Sequence, residues 1–197
     1  MSSLNKREES AAATRQHLID EATLLFSRYG FAKTSLTEIA TNAGATKGAL
    51  YHHFSNKVEL FATCYEQQAA RVAEVVRSVN SSDDPWLDTL ARCQAFLECA
   101  TKRELKAVPI QEAITVLGWQ RWQMLDSAHT MGALKQSLQR LHEADMLGPF
   151  DRDLLADSIF AMMVNAMMVL ATSKDRAATQ QELMRQLEAF LSGVLRQ

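Results

Sequence analysis

Residues 46–54 (TKGALYHHF) bring several side chains that can bind an anion or a metal ion into one short stretch. Lys47 carries a positive charge, Tyr51 carries a hydroxyl group, and two adjacent histidines carry ring nitrogens. Leu50 and Phe54 are four residues apart, so they share one inward face of a helix while the polar residues point elsewhere. Neighbouring residues diverge by about 100° on a helix, so the two histidines cannot easily hold one metal ion. The pattern therefore favours hydrogen bonds to an anionic partner.

The sequence lacks the common motifs of a helical or phosphate-binding enzyme. It contains no HExxH, no GxSxG and no glycine-rich phosphate loop. Bridged-metal bundles need Glu-x-x-His pairs on two helices, and the nearest approach is the single pair Asp126 and His129. The three cysteines form no CxxC pair, which is typical of reduced thiols. We therefore expect no catalytic residue, no metal and no cofactor. A helical enzyme is the first alternative to this interpretation.

The composition predicts an all-α protein. Of the 197 residues, 47% are hydrophobic, and only seven are Gly and three are Pro. Few helix breakers among many strong helix formers favour helices along the whole chain. The net charge of −2 is divided unevenly, with +2 on residues 1–57 (seven basic, five acidic) and −4 on residues 58–197 (fourteen basic, eighteen acidic). A mildly basic N-terminal segment permits nucleic-acid binding at that end.

Capping residues and hydrophobic spacing divide the chain into about nine helices. SLTE at 35–38 is a capping box, Thr46 can cap a third helix, and Gly30 and Gly44 mark the ends of the first two. Residues 1–10 are polar and are expected to be disordered. The predicted helices cover approximately 11–29, 35–43, 46–54, 56–79, 84–100, 103–117, 119–146, 151–172 and 179–195.

The second and third predicted helices are short and are joined by a turn at Gly44. The small residues Ala40 and Ala43 let them approach closely, as in a helix-turn-helix whose second helix lies in the DNA major groove. Its first turn would reach base edges, and the flanking residues would bond phosphates. The predicted DNA-binding residues are Ser35, Thr37, Thr46, Lys47, Gly48, Ala49, Tyr51, His52 and Lys57. The alternative is a pair of packed helices in which Tyr51 is half-buried and His52 is solvated.

Residues 30–60, GFAKTSLTEIATNAGATKGALYHHFSNKVEL, resemble the DNA-binding domain of the TetR family of bacterial transcription regulators. The match includes Gly-Phe, Thr-Ser, Ile-Ala, Ala-Gly, Lys-Gly, Leu-Tyr and the final Phe, Lys and Leu, and it covers about residues 11–65. Ala45 stands where Val is usual in the family. The resemblance implies that Tyr51 and Lys57 contact phosphates and that the residues around Lys47 recognise bases.

The resemblance also implies a division of labour along the chain. Residues 11–57 would form the helix-turn-helix domain, and residues 58–197 would form a helical domain that dimerises and binds a small-molecule effector. The expected protein is a cytoplasmic, ligand-responsive repressor that binds a palindromic operator as a homodimer. An activator of the same family, and a helical small-molecule-binding protein without DNA binding, are the alternatives.

The last two predicted helices carry the most continuous apolar surface. IFAMMVNAMMVLA at 159–171 is shorter than the roughly 20 apolar residues that span a bilayer, so no membrane association is expected. A helix that is apolar on nearly all faces must be covered on nearly all faces. With the Leu stripe at 183–195, it is predicted to form the dimer interface, although it could instead be the central helix of a monomer.

Two tryptophans in VLGWQRW at 116–122 are three residues apart and so share a helix face. They could wall an apolar, aromatic effector pocket, which would suit a hydrophobic or aromatic ligand better than a sugar phosphate. A buried Asn in the apolar helix would need a hydrogen-bond partner, which a ligand or the second subunit could supply. The predicted pocket residues are Trp86, Phe96, Trp119, Trp122, His129, Met163 and Asn165. The alternative is that each of them fills the core.

Overall fold

The computed structural model describes residues 3–79, 82–100 and 108–196, and side chains from residue 8 onward. Over these ranges the chain is all-α, as predicted, and one isolated β-bridge joins Leu147 to Leu195. The described helices are α1 (Ser3–Lys33), α2 (Leu36–Asn42), α3 (Lys47–His53), α4 (Lys57–Arg77), α5 (Pro85–Cys99), α6 (Ile110–Leu117), α7 (Trp119–Glu143), α8 (Arg152–Thr172) and α9 (Arg176–Ser192).

Most predicted helix starts agree with the caps in the structure. The Oδ1 atom of Asn56 accepts a hydrogen bond at the start of α4, Asp84 caps α5, and Asp151 caps α8. The expectation that residues 1–10 are disordered is wrong for 3–10, which continue α1. The last helix begins at Arg176 rather than 179, because Asp175 caps it by accepting from the backbone N–H of residue 178 at 3.1 Å. The predicted start of the sixth helix at 103 falls in 101–107, outside the described residues.

The chain forms two compact units, and the first comprises residues 1–68 and 106–123. The helices α1, α2 and α3 pack on one another, and each contributes a buried aliphatic side chain, namely Leu18, Ile39 and Leu50. Two aromatic side chains add to this core: the rings of Phe26 in α1 and Phe61 in α4 meet edge to face, with 5.0 Å between their centroids. Side chains from α1, α2, α3 and the first part of α4 thus share one core, which holds α3 against α1 and α2.

Residues 108–123 complete the core of this first unit, although the sequence places them far from the helix-turn-helix. The side-chain amide of Gln68 bonds the backbone of Val108 in both directions, accepting at 2.6 Å and donating at 3.1 Å. Trp122 is fully buried, and its ring lies 6.4 Å from that of Tyr65 between centroids. The predicted boundary at residue 57 therefore differs from the observed division, in which a later segment joins the N-terminal unit.

Gly30 forms a break inside α1 and has a backbone conformation that favours glycine. Its φ of 80° and ψ of 165° are non-helical, and the chain resumes a short helical segment to Lys33. The next backbone N–H, that of Phe31, donates to Oε1 of Glu112 on α6 at 2.6 Å. A Cβ at position 30 would lie 2.9 Å from the same oxygen. The glycine therefore serves both the backbone turn and the close approach of α6.

Replacing Gly30 with alanine is expected to destabilise the protein by about 1–3 kcal/mol, because this backbone region is essentially restricted to glycine. Urea unfolding followed by circular dichroism would measure the loss. The double variant Gly30→Ala/Glu112→Ala removes the crowding but keeps the strained backbone, so it should remain less stable than Glu112→Ala alone. Equal stability of those two variants would show that crowding, rather than backbone conformation, sets the cost.

The second unit comprises residues 69–105 and 124–197. Helices α5, α8 and α9 pack together, with Leu97, Phe160 and Leu187 among the buried side chains. The described C-terminal end is tied back, since the backbone N–H of Arg196 donates to the carbonyl of Met146 at 2.7 Å. An ion pair between Arg196 and Asp145 lies at the same place.

Helix α8 is apolar over its length but is only partly covered by its own chain. An 18-residue window within it has a mean hydropathy of 1.9, and 39% of that window is buried. The helix is long and apolar enough to cross a membrane by length and composition alone, a criterion that core helices of soluble proteins also meet. Asn165, predicted to be buried, is exposed on the isolated chain, so that prediction is wrong for the single chain.

Candidate functional site

The turn between α2 and α3 has the geometry of a helix-turn-helix. Ser35 caps α2 by accepting from the backbone N–H of Glu38 at 3.1 Å, and Thr46 caps α3 by accepting from that of Ala49 at 3.1 Å. Gly44 has a φ of 65°, the left-handed conformation that glycine favours at a helix end. The backbone N–H next to it, on Ala45, closes the turn on the carbonyl of Ala40 at 2.9 Å. The two caps and the glycine at the end of α2 were predicted from the sequence.

One face of α3 is buried and the rest is exposed. Leu50 is fully buried and Phe54 nearly so, whereas Lys47, Gly48 and Tyr51 are exposed, with 48% of Tyr51 accessible. The ammonium nitrogen of Lys47 lies 5.9 Å from the centroid of the Tyr51 ring. A positive charge and a phenol hydroxyl therefore share a surface beside a residue with no side chain. Such a surface can donate hydrogen bonds to phosphate oxygens and to guanine acceptors.

The nine predicted DNA-binding residues all belong to the first unit. Ser35, Thr37, Thr46, Lys47, Gly48, Tyr51 and His52 are exposed, and Ala49 and Lys57 are half-buried. The neighbouring His53 is half-buried, and desolvation, followed by the nearby His52 and Arg15, lowers its pKa. Protonated His53 is therefore disfavoured.

Lys57 has structural contacts besides its predicted phosphate contact. Its ammonium nitrogen lies 4.3 Å from the centroid of the Phe31 ring and 3.5 Å from the carbonyl oxygen of Ala32. Burial lowers the pKa of Lys57, and the Glu112 carboxylate raises it by a smaller amount. This lysine thus helps to hold the start of α4 against the end of α1, a role that the sequence did not indicate.

An ion pair also joins α4 to the start of α7 within the first unit. The guanidinium of Arg121 donates to both carboxylate oxygens of Glu59, at 2.9 and 2.7 Å. The hydrogen bond from Arg121 is the main cause of the lowered pKa of Glu59. Sequence reasoning missed this pair because the two residues are 62 positions apart.

The Glu59–Arg121 pair predicts a pH-dependent contribution to stability. Since the pKa of Glu59 is depressed in the folded state, the contribution is present above the usual pKa near 4.5 and is lost as pH falls through the folded value. Water screens the pair, because 43% of Glu59 is accessible. Glu59→Gln is therefore expected to lower the free energy of unfolding by at most about 1 kcal/mol at pH 7. Urea unfolding at pH 7 and at about pH 3 would check that the difference disappears in acid.

The second unit contains an apolar cavity. The centre of a water molecule can occupy about 50 Å³ of it, and the space free of protein atoms, with the adjoining open solvent included, is about 490 Å³. Apolar side chains from α4, α5, α7 and α8 form most of the wall, namely Ala73, Val76, Phe96, Leu134, Phe160 and Met163. An effector larger than a few atoms would have to widen this space.

The structure separates the predicted pocket residues. Phe96 and Met163 line the cavity. Trp122 instead belongs to the core of the first unit, and Trp119 is 53% exposed beside it, with 5.1 Å between the two ring centroids. The other three, Trp86, His129 and Asn165, are not among the described residues that line the cavity.

The polar part of the cavity wall was not predicted. Arg92 is the one charged side chain among the described lining residues, and Thr89, Cys93, Thr130 and Ser137 are the others with polar atoms. Burial raises the pKa of the Cys93 thiol to about 12, so the thiol is neutral at physiological pH.

Comparison with known proteins agrees with this arrangement. Residues 18–64 match the family described as bacterial regulatory proteins, tetR family, and residues 86–194 match the tetracyclin repressor-like C-terminal domain. The second match alone covers more than half of the chain. The chain belongs to the TetR family.

Individual TetR-family relatives match different shares of the chain. The transposon Tn10 TetC protein of Escherichia coli is 28% identical over 155 residues, which is 79% of each chain. The regulator AcrR of Shigella flexneri is 44% identical over 70 residues, or 36% of this chain and 33% of that protein. A solved TetR-family regulator from Pectobacterium atrosepticum is 28% identical, with a TM-score of 0.79, and the match covers 100% of this chain and 99% of that one. This TetR-family member is therefore a transcriptional regulator, and the family is not one of enzymes.

Proposed function

We propose that this regulator represses transcription in the cytoplasm by binding a palindromic operator as a homodimer, and that a small apolar effector releases it. The observation that carries the proposal is the exposed face of α3, where Lys47 and Tyr51 flank the bare backbone of Gly48. A helix of this kind can lie in the major groove with its first turn at the base edges. Two copies related by two-fold symmetry would place two such helices about 34 Å apart, on successive turns of the groove.

The apolar surface of α8 and α9 supports dimerisation through these two helices. Three large apolar side chains on them are exposed on the single chain: Leu154 by 68%, Val169 by 43% and Phe190 by 65%. Helices α8 and α9 pack on each other, so these side chains can contribute to one apolar surface of the kind that forms a protein–protein interface. Covering it with the same helices of a second copy would remove it from water.

Helix α4 offers a way for an effector in the cavity to change the affinity for DNA. The cavity is narrow, so an effector that fills it must widen it and will favour a different conformation of the wall. Helix α4 contributes residues to both units, because residues 57–68 belong to the first and 69–77 to the second. An effector that prefers the widened state lowers the affinity for DNA, and by reciprocity DNA lowers the affinity for the effector.

Selection of DNA from a random pool by the purified protein would test the proposal, followed by salt titration on the enriched sequence. We expect a palindromic consensus and an affinity that falls steeply with salt, as phosphate contacts require. A reporter gene placed behind the consensus should be repressed. Failure of a folded, ligand-free dimer to enrich any sequence would contradict the assignment of α3, and activation of the reporter would contradict repression.

A further inference from the structure

A buried cluster of three charged residues adjoins the cavity in the second unit. Oδ2 of Asp88 accepts from Nε of Arg92 at 2.9 Å and from Nη1 of Arg140 at 2.6 Å. Only 1% of the Asp88 side chain is exposed, against 14% for Arg92 and 30% for Arg140. One carboxylate thus serves two guanidinium groups, which leaves one positive charge in excess.

Arg92 brings one of the two guanidinium groups to the cavity wall. Its Nε is bound to Asp88, and its Nη1 donates to the carbonyl oxygen of Val76 at 3.1 Å. Arg140 can satisfy its charge partly in water, whereas Arg92 is nearly enclosed. A buried charge is costly unless it is paired, so Arg92 favours an anion in the cavity.

A second polar group faces the same space. Ser137 is 97% buried, since 3% of it is exposed, and it lines the cavity. Its hydroxyl group can donate a hydrogen bond to a ligand in the cavity. The neutral Cys93 thiol adds no negative charge that would oppose an anion.

We propose that the cavity selects an apolar monoanion, in which a single carboxylate or similar group pairs with Arg92 and Ser137 while an aliphatic or aromatic body contacts the apolar wall. This inference rests on the proposed effector role of the cavity and specifies the chemical class of the effector. One excess positive charge matches one negative charge on the ligand. The aliphatic and aromatic wall excludes highly charged ligands such as sugar phosphates, because their remaining charges would be unpaired.

Three probes with the same aromatic body would test the charge preference: 3-phenylpropanoate, 3-phenylpropanol and 3-phenylpropylammonium. Calorimetric titration of the full-length protein should show that the carboxylate binds at least about 10-fold more tightly than the alcohol, and that the ammonium is the weakest, as a charge-assisted hydrogen bond requires. Equal affinities, or tightest binding of the ammonium, would overturn the inference. No binding of any probe at millimolar concentration would also overturn it.

Variants identify the residues responsible. Arg92→Gln removes the cavity guanidinium and leaves Asp88 paired with Arg140, so no positive charge is in excess, and it should abolish the preference for the carboxylate over the alcohol. Ser137→Ala removes one hydroxyl and should weaken carboxylate binding by about 3- to 10-fold. Gly132→Ala, in open space on the same helix as Ser137, is the matched control and should bind as the parent protein does. A preference that survives Arg92→Gln would contradict the role of Arg92.

The same preparation separates this inference from the proposed function. Operator binding measured without any probe tests the α3 surface alone. If the carboxylate binds the cavity but leaves a preformed operator complex intact, the anion site is supported and the release mechanism is contradicted. If the alcohol releases the operator as well as the carboxylate does, the release mechanism is supported and the charge preference is overturned.

Discussion

Replacing Gly48 with glutamate is expected to abolish operator binding while leaving the protein folded. The nearest atom to a Cβ at this position is Oγ1 of Thr46 at 3.8 Å, so the chain itself has room for a side chain. The bare backbone matters only if another molecule approaches it. We expect a loss of about 100-fold or more in operator affinity, because the new side chain blocks base contacts and places a negative charge against DNA.

The Gly48→Glu substitution should leave the free energy of unfolding unchanged or raise it. Glycine inside a helix costs about 0.5–1 kcal/mol relative to alanine, and a carboxylate near a helix N-terminus is favourable. Gly132→Glu is the matched control, since Gly132 is also an exposed helical glycine with open space around it and the charge change is the same. Fluorescence anisotropy on the selected operator would measure affinity, and urea unfolding would measure stability. A Gly48→Glu variant with normal affinity would show that α3 does not lie in the groove.

Replacing Trp122 with alanine is expected to cost about 3–5 kcal/mol of stability, the usual loss for a large aromatic residue removed from a core. Trp122 is fully buried and packs near Tyr65 in the unit that carries the helix-turn-helix. Such a loss is a large share of the roughly 5–15 kcal/mol that stabilises a typical domain. Operator binding should therefore fail at a lower temperature than in the parent protein.

Trp119 offers a matched comparison three residues earlier. Because 53% of it is exposed, Trp119→Ala should cost less than about 1 kcal/mol. Thermal unfolding of the two variants, with anisotropy on the operator at each temperature, would measure both effects. Similar losses for the two tryptophans would contradict the distinction between core and surface. A change in effector affinity without a change in stability would instead return Trp122 to the predicted pocket.

The helix-turn-helix could be predicted because its signals are local. Ser35, Gly44 and Thr46 act within four residues of their own positions, and the helix faces follow from the spacing of Leu50 and Phe54. Capping and turn chemistry of this kind depends on neighbours along the chain. The structure therefore places these residues as the sequence predicts.

The contacts of the later segment could not be predicted because they depend on packing between distant residues. The Glu112 carboxylate accepts a hydrogen bond from the backbone of Phe31, beside Gly30 and 81 positions away. Arg121 donates to Glu59, which is 62 positions away. Nothing in the pattern around Trp122 distinguishes a residue that lines a pocket from one that fills a core. The ionic part of the cavity was missed for the same reason, since Arg140 is 52 residues from Asp88.

The membership of residues 106–123 in the first unit has a consequence for building hybrid sensors. A fusion cut after α4 would carry the operator preference of this regulator but would leave Gln68 without the backbone of Val108, and Gly30 and Phe31 without Glu112. A sound graft therefore exchanges two pieces of chain together, the N-terminal 68 residues and the segment containing α6. The predicted DNA-binding residues lie in the N-terminal piece, and both pieces supply the core that holds them in place.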